Sequence, residues 1–279
     1  MGNEIDNNPK KKLIKILAVV IGVLAAVALG MHWFDSLPTN FNSRQAQSAI
    51  HGNQTAQKPN KLYLTSDQAK FIKPMKYVNR RKFMVLKQDY QDRAMGAHIQ
   101  LNKKELPTKV RNSYLPDNPT GWHNFAYIVN DHGKKTKTYF YNRGHLVGYQ
   151  FCGVNDNPCN MITQTQYVNQ GGLTKMNDNN PKGQLFYENR LRKWIDRHSK
   201  DRLDYSVMPV YGNSQELVPR DVYLTFVGYN RKHKLIKINM GGKTKYQGQI
   251  GHVLLKNDSP AGKINYQTGT VTLYKKLKQ

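Results

Sequence analysis

Apolar and polar positions alternate, or apolar ones run together, in five short windows that predict strands. These are Ala97–Leu101 (AHIQL), Lys137–Tyr141 (KTYFY), Asp221–Tyr229 (DVYLTFVGY), Lys234–Asn239 (KLIKIN) and Gly269–Tyr274 (GTVTLY). Gly241-Gly242 and Asn257-Asp258 supply turn chemistry between the later windows. The period changes in Gln184–His198 (QLFYENRLRKWIDRH), where Tyr187, Leu191, Trp194, Ile195 and His198 recur at helical spacing. Glu188 falls on that same inward stripe. A buried acid needs a cation, a metal-bound water or hydrogen-bond donors to stay charged, so Glu188 belongs either to a structural ion pair, for instance with Arg143, or to a functional site. No internal repeat is seen, and strands mixed with a few helices predict an α+β domain.

The N-terminus follows a third pattern. Lys10, Lys11, Lys12 and Lys15 precede an unbroken apolar run from Ile16 to Met31, which Leu13 and Ile14 join if Lys15 snorkels towards lipid headgroups. No polar stripe interrupts the run, which argues against a buried core helix. Ala26-Val27-Ala28 offers a small-residue cleavage pattern, so the segment reads either as a single transmembrane anchor, the preferred reading, or as a signal peptide removed near Ala28. The lysines stay cytoplasmic by the positive-inside rule, which places the rest outside the cell, membrane-anchored or secreted. The expected organisation is a basic cytoplasmic region (1–12), the anchor or signal segment (13–34), a flexible Asn/Gln/Ser/Thr-rich linker (35–60) and a folded domain (61–279).

Charge narrows the partner. The 279 residues carry 43 Lys and Arg against 18 Asp and Glu, a formal +25. Residues 1–60 hold six of the former and three of the latter, so +22 sits on the folded part. That exceeds what solubility asks of a domain of this size and points to a polyanion: nucleic acid, an anionic membrane face or a wall polymer. The hydrophobic share of 38%, with 17 Tyr, 9 Phe and 3 Trp, excludes a disordered chain, and the single apolar run excludes a polytopic membrane protein. Cys152 and Cys159 stand seven positions apart; outside a cell such a pair is expected to form a disulfide closing the CGVNDNPC loop, with two free thiols as the alternative.

At the end of one predicted strand stands Asn142-Arg143-Gly144-His145-Leu146. It presents an imidazole as a candidate base, a guanidinium fork for a phosphate, and a glycine that would let an anionic backbone approach closely. Downstream come Asn160-Met-Ile-Thr-Gln164, then Asn169-Gln170, then the helix that carries Glu188.

These motifs, in this order over roughly residues 85–230, resemble the DNA/RNA non-specific endonucleases of the ββα-metal superfamily. The run RGHLxGYQF and the helix pattern LFYExRLxxW resemble the secreted or membrane-anchored nucleases of Gram-positive bacteria. The resemblance implies a central antiparallel sheet with flanking helices and an inserted strand–strand–helix metal finger. It implies an extracellular, sequence-independent, Mg2+-dependent endonuclease, with Mn2+ as a substitute, acting on DNA, with RNA left open as a second substrate. His145 would be the general base and Asn169 the single direct protein ligand of the metal. Glu188 would contact or orient water around the ion, and Arg143 would contact phosphate. Asn160 and Gln164 match polar positions that position the His, shape the pocket and bind substrate, and Arg111 matches an upstream arginine loosely. No protein partner is evident.

The roles fit the chemistry. Phosphodiester hydrolysis needs a deprotonated water, charge stabilisation at phosphorus and neutralisation of the leaving 3′ oxygen. A lone Asn suits Mg2+, which keeps most of its waters, and Zn2+ would call for several His or Cys ligands. Contacts to phosphate and metal ignore base identity, and a +22 domain binds the backbone with steep salt dependence through clusters such as Arg80-Arg81-Lys82 and Arg231-Lys232-His233-Lys234.

Many family members begin the motif with Asp, so Asn142 removes a charge expected near the imidazole. Each residue also has a plainer reading: a structural His145, a helix-capping Asn169, solvated Lys/Arg faces, and Tyr149 and Trp194 as core; His98 and His123 are unassigned. The competing function is a non-catalytic basic surface protein that binds DNA or anionic cell-wall polymer.

Overall fold

The computed structural model describes residues 64–111, 117–131 and 133–274, all within the compact unit Tyr63–Gln279. The cytoplasmic, anchor or signal, and linker assignments to residues 1–60 lie outside the described residues. Among the described residues no helix is long and apolar enough to cross a membrane.

The architecture is α+β around an antiparallel sheet. In chain order the elements are α1 (Ser66–Phe71), β1 (Lys82–Val85), β2 (Ala97–Leu101), β3 (Ala126–Asp131), β4 (Lys134–Tyr139), β5 (Tyr141–His145), α2 (Tyr149–Cys152), β6 (Met161–Thr165), α3 (Gln166–Gln170) and α4 (Gln184–Arg197). Then follow β7 (Arg202–Val210), β8 (Asp221–Tyr229), β9 (Leu235–Ile236), β10 (Lys245–Gln247), β11 (Ile250–Lys256), β12 (Gly262–Ile264) and β13 (Val271–Leu273). The central sheet runs β1-β2-β7-β8-β11-β10 with β9 on the free stretch of β8, and β3–β4, β5–β6 and β12–β13 form separate hairpins.

Strand alternation gives this sheet two different faces. Ile99, Leu101, Leu203, Tyr205, Val207, Val222, Leu224, Phe226, Val253 and Leu255 make one face, and Tyr187, Leu191 and Ile195 of α4 complete the same core. Each such side chain contributes on the order of 2 kcal/mol of burial. The other face is polar yet buried, with His98, Gln100, Asp204, Ser206 and Thr225. It is covered by α1 and the chain that follows: Thr225 donates to Ile72 O, Tyr229 to Met75 O, and Met75 N–H to Asp204 Oδ2. His98 bridges the two layers, with Nε2 2.6 Å from Asp204 Oδ1 and Nδ1 2.8 Å from Phe71 O, and so has a structural role.

Ala97–Leu101 and Asp221–Tyr229 match the expected strands, and Gln184–Arg197 the expected helix. The expected strand Lys137–Tyr141 is two. Its run straddles Phe140, where the chain leaves β3 and turns to β6, the Phe140 N–H going to Phe125 O and its ring into a second core with Tyr127, Tyr141, Ala261 and Ile264. Only Leu235–Ile236 of Lys234–Asn239 and Val271–Leu273 of Gly269–Tyr274 pair.

Candidate functional site

β5 and β6 pair antiparallel with His145 opposite Met161, Arg143 opposite Thr163 and Asn142 opposite Gln164. Thr165 ends β6 and caps α3, its side chain accepting from the Val168 N–H, and Gly171 ends α3 at φ +84°. The result is a strand–strand–helix unit. The loop that joins the strands is pinned by fully buried Asn160, whose Oδ1 accepts from Val147 N–H and whose Nδ2 donates to Val147 O, both at 3.0 Å.

A cleft of about 800 Å3 opens at this unit, lined among others by Arg111, Arg143, His145, Gln150, Asn169 and Glu188. Of the expected catalytic, metal and phosphate residues, all five therefore come together at one surface, from positions 111 to 188. His145, 6% exposed, points Nε2 at the carbonyl oxygen of Asn155, 2.8 Å away. A carbonyl only accepts, so Nε2 carries the proton and the lone pair sits on Nδ1. Burial, then the charge of Arg111, pulls the His145 pKa down to about 4 against the smaller opposing effect of the Asn155 bond, so the imidazole is neutral at pH 7. Arg111 is placed by its Nε, which donates to Asn155 Oδ1 at 3.2 Å.

Arg143 is held by Nε, which donates to Asn118 Oδ1 at 2.9 Å, with its guanidinium 5.0 Å over the Trp122 ring, leaving the terminal nitrogens for an anion. Asn142, one position back along β5, also lines the cleft, and its Nδ2 lies 3.5 Å from Gln170 Oε1 on α3. The charge state of His145 is thus governed by burial and Arg111, and the amide at 142 faces α3.

Glu188 is buried on α4, and no ion pair to Arg143 forms. Its Oε1 accepts from Gly148 N–H at 3.0 Å, Gln184 Nε2 at 3.0 Å and Tyr205 O–H at 3.3 Å; among the described residues Oε2 has only Gln150 Nε2 at 3.5 Å. Burial pushes the carboxyl pKa up, and the four donors oppose it. A Cβ at Gly148 would collide with Oε2, so glycine is what admits the carboxylate there. Half-buried Asn169 lines the cleft from the last turn of α3 and makes no side-chain hydrogen bond among the described residues, leaving its carboxamide oxygen available. No group of three or more His, Cys, Asp or Glu among the described residues could hold a metal. A donor set of one carboxamide and one under-satisfied carboxylate oxygen fits a hard cation that retains its waters, such as Mg2+, better than Zn2+.

Four expectations are corrected. Asn160 and Gln164 are fully buried and form no part of the cleft wall, so neither touches substrate: Asn160 is used up on Val147, and Gln164 Nε2 donates to Gln184 Oε1 at 3.0 Å. Gly144 serves no passing phosphate, because the Gln164 side chain lies against its Cα. Cys152 and Cys159 are free thiols: Cys152 ends α2 with its sulfur in the core, donating to Val147 O at 3.3 Å, and Cys159 sits in a 3-10 turn capped by Asn157. Burial pushes the Cys152 thiol up to about 11. Tyr149, expected in the core, lines the cleft and donates to Lys109 O, whereas Trp194 does pack inward against Gly228.

Sequence reading missed Asn118, Trp122, Gln150 and Tyr205 as supports of the site. Asn118 and Trp122 flank the Pro119-Thr-Gly turn, and that turn signal was their only local mark.

The profile of the DNA/RNA non-specific endonuclease family matches residues 76–227. A solved extracellular nuclease is 31% identical, covering 72% of this chain and 98% of its own at a TM-score of 0.59. An extracellular endonuclease is 32% identical, covering 74% and 92% at 0.60. NucA from Streptococcus agalactiae, solved with a magnesium ion bound, shares the fold at 24% identity, covering 85% of this chain and 100% of its own at 0.53. No curated protein matches.

Proposed function

The chain belongs to the DNA/RNA non-specific endonuclease family, a nucleic-acid hydrolase, and from that premise we propose that its cleft hydrolyses phosphodiesters with His145 as general base. The observation that carries the reading is the commitment of Nε2 to the Asn155 carbonyl, which leaves a neutral Nδ1 as the base in a cleft shared with Arg143, Asn169 and Glu188. Nδ1 takes the proton of the attacking water as its oxygen bonds to phosphorus and the bond to the 3′ oxygen breaks. Arg143, steadied by Asn118 and Trp122, holds the phosphate and offsets the charge that builds on it, with Arg111 alongside. Asn169 would hold Mg2+, or Mn2+ in its place, and Glu188 Oε2 would accept hydrogen bonds from water there. When bound, the ion supplies positive charge at the phosphate and the leaving oxygen. None of these contacts selects a base, so DNA is cut without regard to sequence, and RNA likewise where the cleft admits the 2′-hydroxyl.

The formal +22 of residues 61–279 supports a backbone-binding mode, and the extracellular relatives support a catalytic domain working outside the cell. The apolar run in residues 13–34, as anchor or cleaved signal, and the 35–60 linker would carry it there. Supercoiled plasmid incubated with the full chain in Mg2+ or in EDTA tests the proposal. Metal-dependent loss of the intact plasmid, abolished by His145→Ala with DNA retention in a gel shift unchanged, is the expected result. Retention without cutting by the wild type would return the chain to a polyanion-binding role.

A further inference from the structure

Gln184 opens α4 directly after the cap residue Gly183 and is 2% exposed. Its Nε2 donates to three acceptors: His145 O at 3.1 Å, Leu146 O at 2.7 Å and Glu188 Oε1 at 3.0 Å. An amide nitrogen carries two hydrogens, so at least one is shared. All three neighbours are acceptors, which fixes the amide orientation, and Gln164 Nε2 closes the arrangement by donating to Gln184 Oε1 at 3.0 Å. The orientation leaves Gln164 Oε1 buried with no partner among the described residues.

The role of Gln184 is visible in what it connects. On one side are the main-chain carbonyls at the end of β5, from which the His145 ring projects; on the other is the carboxylate one helical turn along α4. A single carboxamide therefore ties the end of the strand that bears the base to the carboxylate, beside the direct bond from Gly148 N–H to Glu188 Oε1. Helix spacing explains why one residue can do this, since positions 184 and 188 lie on the same face of α4.

We infer that Gln184 is a positioning residue for catalysis, locking the strand that bears the base to the carboxylate of Glu188 while touching neither substrate nor ion. The inference rests on the reading of His145 and Glu188 above. A lost donor would let the strand end and the carboxylate drift apart by fractions of an ångström, an effect that falls on the transition state more than on substrate binding. Gln164 acts one step further out, by keeping the Gln184 amide from turning its oxygen towards Glu188.

Gln184→Met keeps the length of the side chain and removes both polar groups. With Mg2+ and a fluorophore–quencher DNA oligonucleotide, kcat should fall about 10- to 100-fold, as for other outer partners of active-site ligands, with KM for DNA within about twofold. The Mg2+ concentration for half-maximal rate should rise. Circular dichroism fixes the folded fraction, so a residue that only supports the fold would lower the thermal midpoint and leave kcat per folded molecule unchanged; that result overturns the inference. Should Gln184→Met fail to fold, Gln164→Met removes the donor that orients the amide, together with an oxygen that has no partner among the described residues; a several-fold loss of kcat at constant KM is expected, and an unchanged kcat overturns the proposal equally. His145→Ala, run in parallel, separates the two levels: its retained activity would sink the catalytic reading itself, whereas an inactive His145→Ala beside a fully active Gln184→Met would sink only the role of Gln184.

Discussion

Arg111 and His145 are joined through one residue: Asn155 takes the Nε proton of the arginine on its carboxamide oxygen and the Nε2 proton of the histidine on its main-chain carbonyl. The loop between β5 and β6 thereby holds a cation close to an imidazole that burial already keeps neutral, and both push the same way on its titration.

The consequence is an acid limb displaced from the ordinary histidine range. The rate should hold as pH falls through 6.5 and be lost near pH 4, where Nδ1 protonates. Arg111→Ala removes the second cause and keeps the first, so the limb of kcat/KM moves upward, towards 6.5, apart from any fall in the plateau. A pH–rate profile for both proteins checks this, and coincident limbs would remove Arg111 from the electrostatics of the base. Stability follows the same sign: because the folded pKa is depressed, the stabilisation from a neutral His145 is complete above about 6.5 and is lost as pH drops through 4. A shift of this size is worth roughly 3 kcal/mol, read as a falling thermal midpoint that is flatter in His145→Gln.

Gly148 offers a test of the Glu188 seat without backbone strain. Its φ is −58°, which any residue adopts, so the effect of Gly148→Ala comes from the new methyl meeting the Glu188 carboxylate. Displacing that group breaks bonds to the Gly148 N–H, Gln184 and Tyr205 together, and activity should drop more than tenfold, as at other supports of an active site. Gly241 has nothing within 4 Å of the corresponding position and an ordinary φ, so Gly241→Ala should match the wild type. Equal activities for the two variants would detach Glu188 from catalysis.

What could be read ahead of the structure divides by range. The period of α4 and the alternation of β2 and β8 are local and were legible; Asp221–Tyr229 and Ala97–Leu101 matched to the residue. β7 carries the same alternation, Leu203-Asp204-Tyr205-Ser206-Val207, but went unread; what no local pattern could show is that its polar side, Asp204 and Ser206, is buried beneath α1 and the chain after it, more than 100 residues away. In the site, His145, Arg143 and Asn169 stand in motifs and were named from them. The wrong contacts came from treating motif membership as exposure: Asn160 and Gln164 share the stretch but lie inside the hairpin. Gln184 carries no motif at all, since its importance arises only when β5 and α4 meet.

The thiols follow from the same loop. Cys152 is sequestered in the core with its pKa raised to about 11, so neither its accessibility nor its thiolate fraction favours exchange. The thermal midpoint of the chain should not move with added dithiothreitol, and denatured protein alkylated without reductant should carry two modifications. One disulfide per chain by mass would restore the bridge across the loop.

Asn169 is the point at which chemistry and fold can be separated most cleanly. The side chain makes no hydrogen bond among the described residues, so Asn169→Ala removes no partner from the protein and should leave the thermal midpoint in EDTA within a degree or two of the wild type. If its carboxamide oxygen holds Mg2+, the rate at a given Mg2+ concentration should fall by at least tenfold and the metal titration should shift to higher concentration. Raising Mg2+ would then recover part of the rate, because most of the coordination shell is water and phosphate that the substitution does not touch. Asn169→Asp separates affinity from geometry: a carboxylate binds the ion more strongly, so the titration should move to lower concentration. A titration identical for all three proteins would show that the ion binds elsewhere in the cleft, where Glu188 Oε2 and the carboxamides of Asn124, Asn142, Gln150 and Gln170 are among the other lining groups.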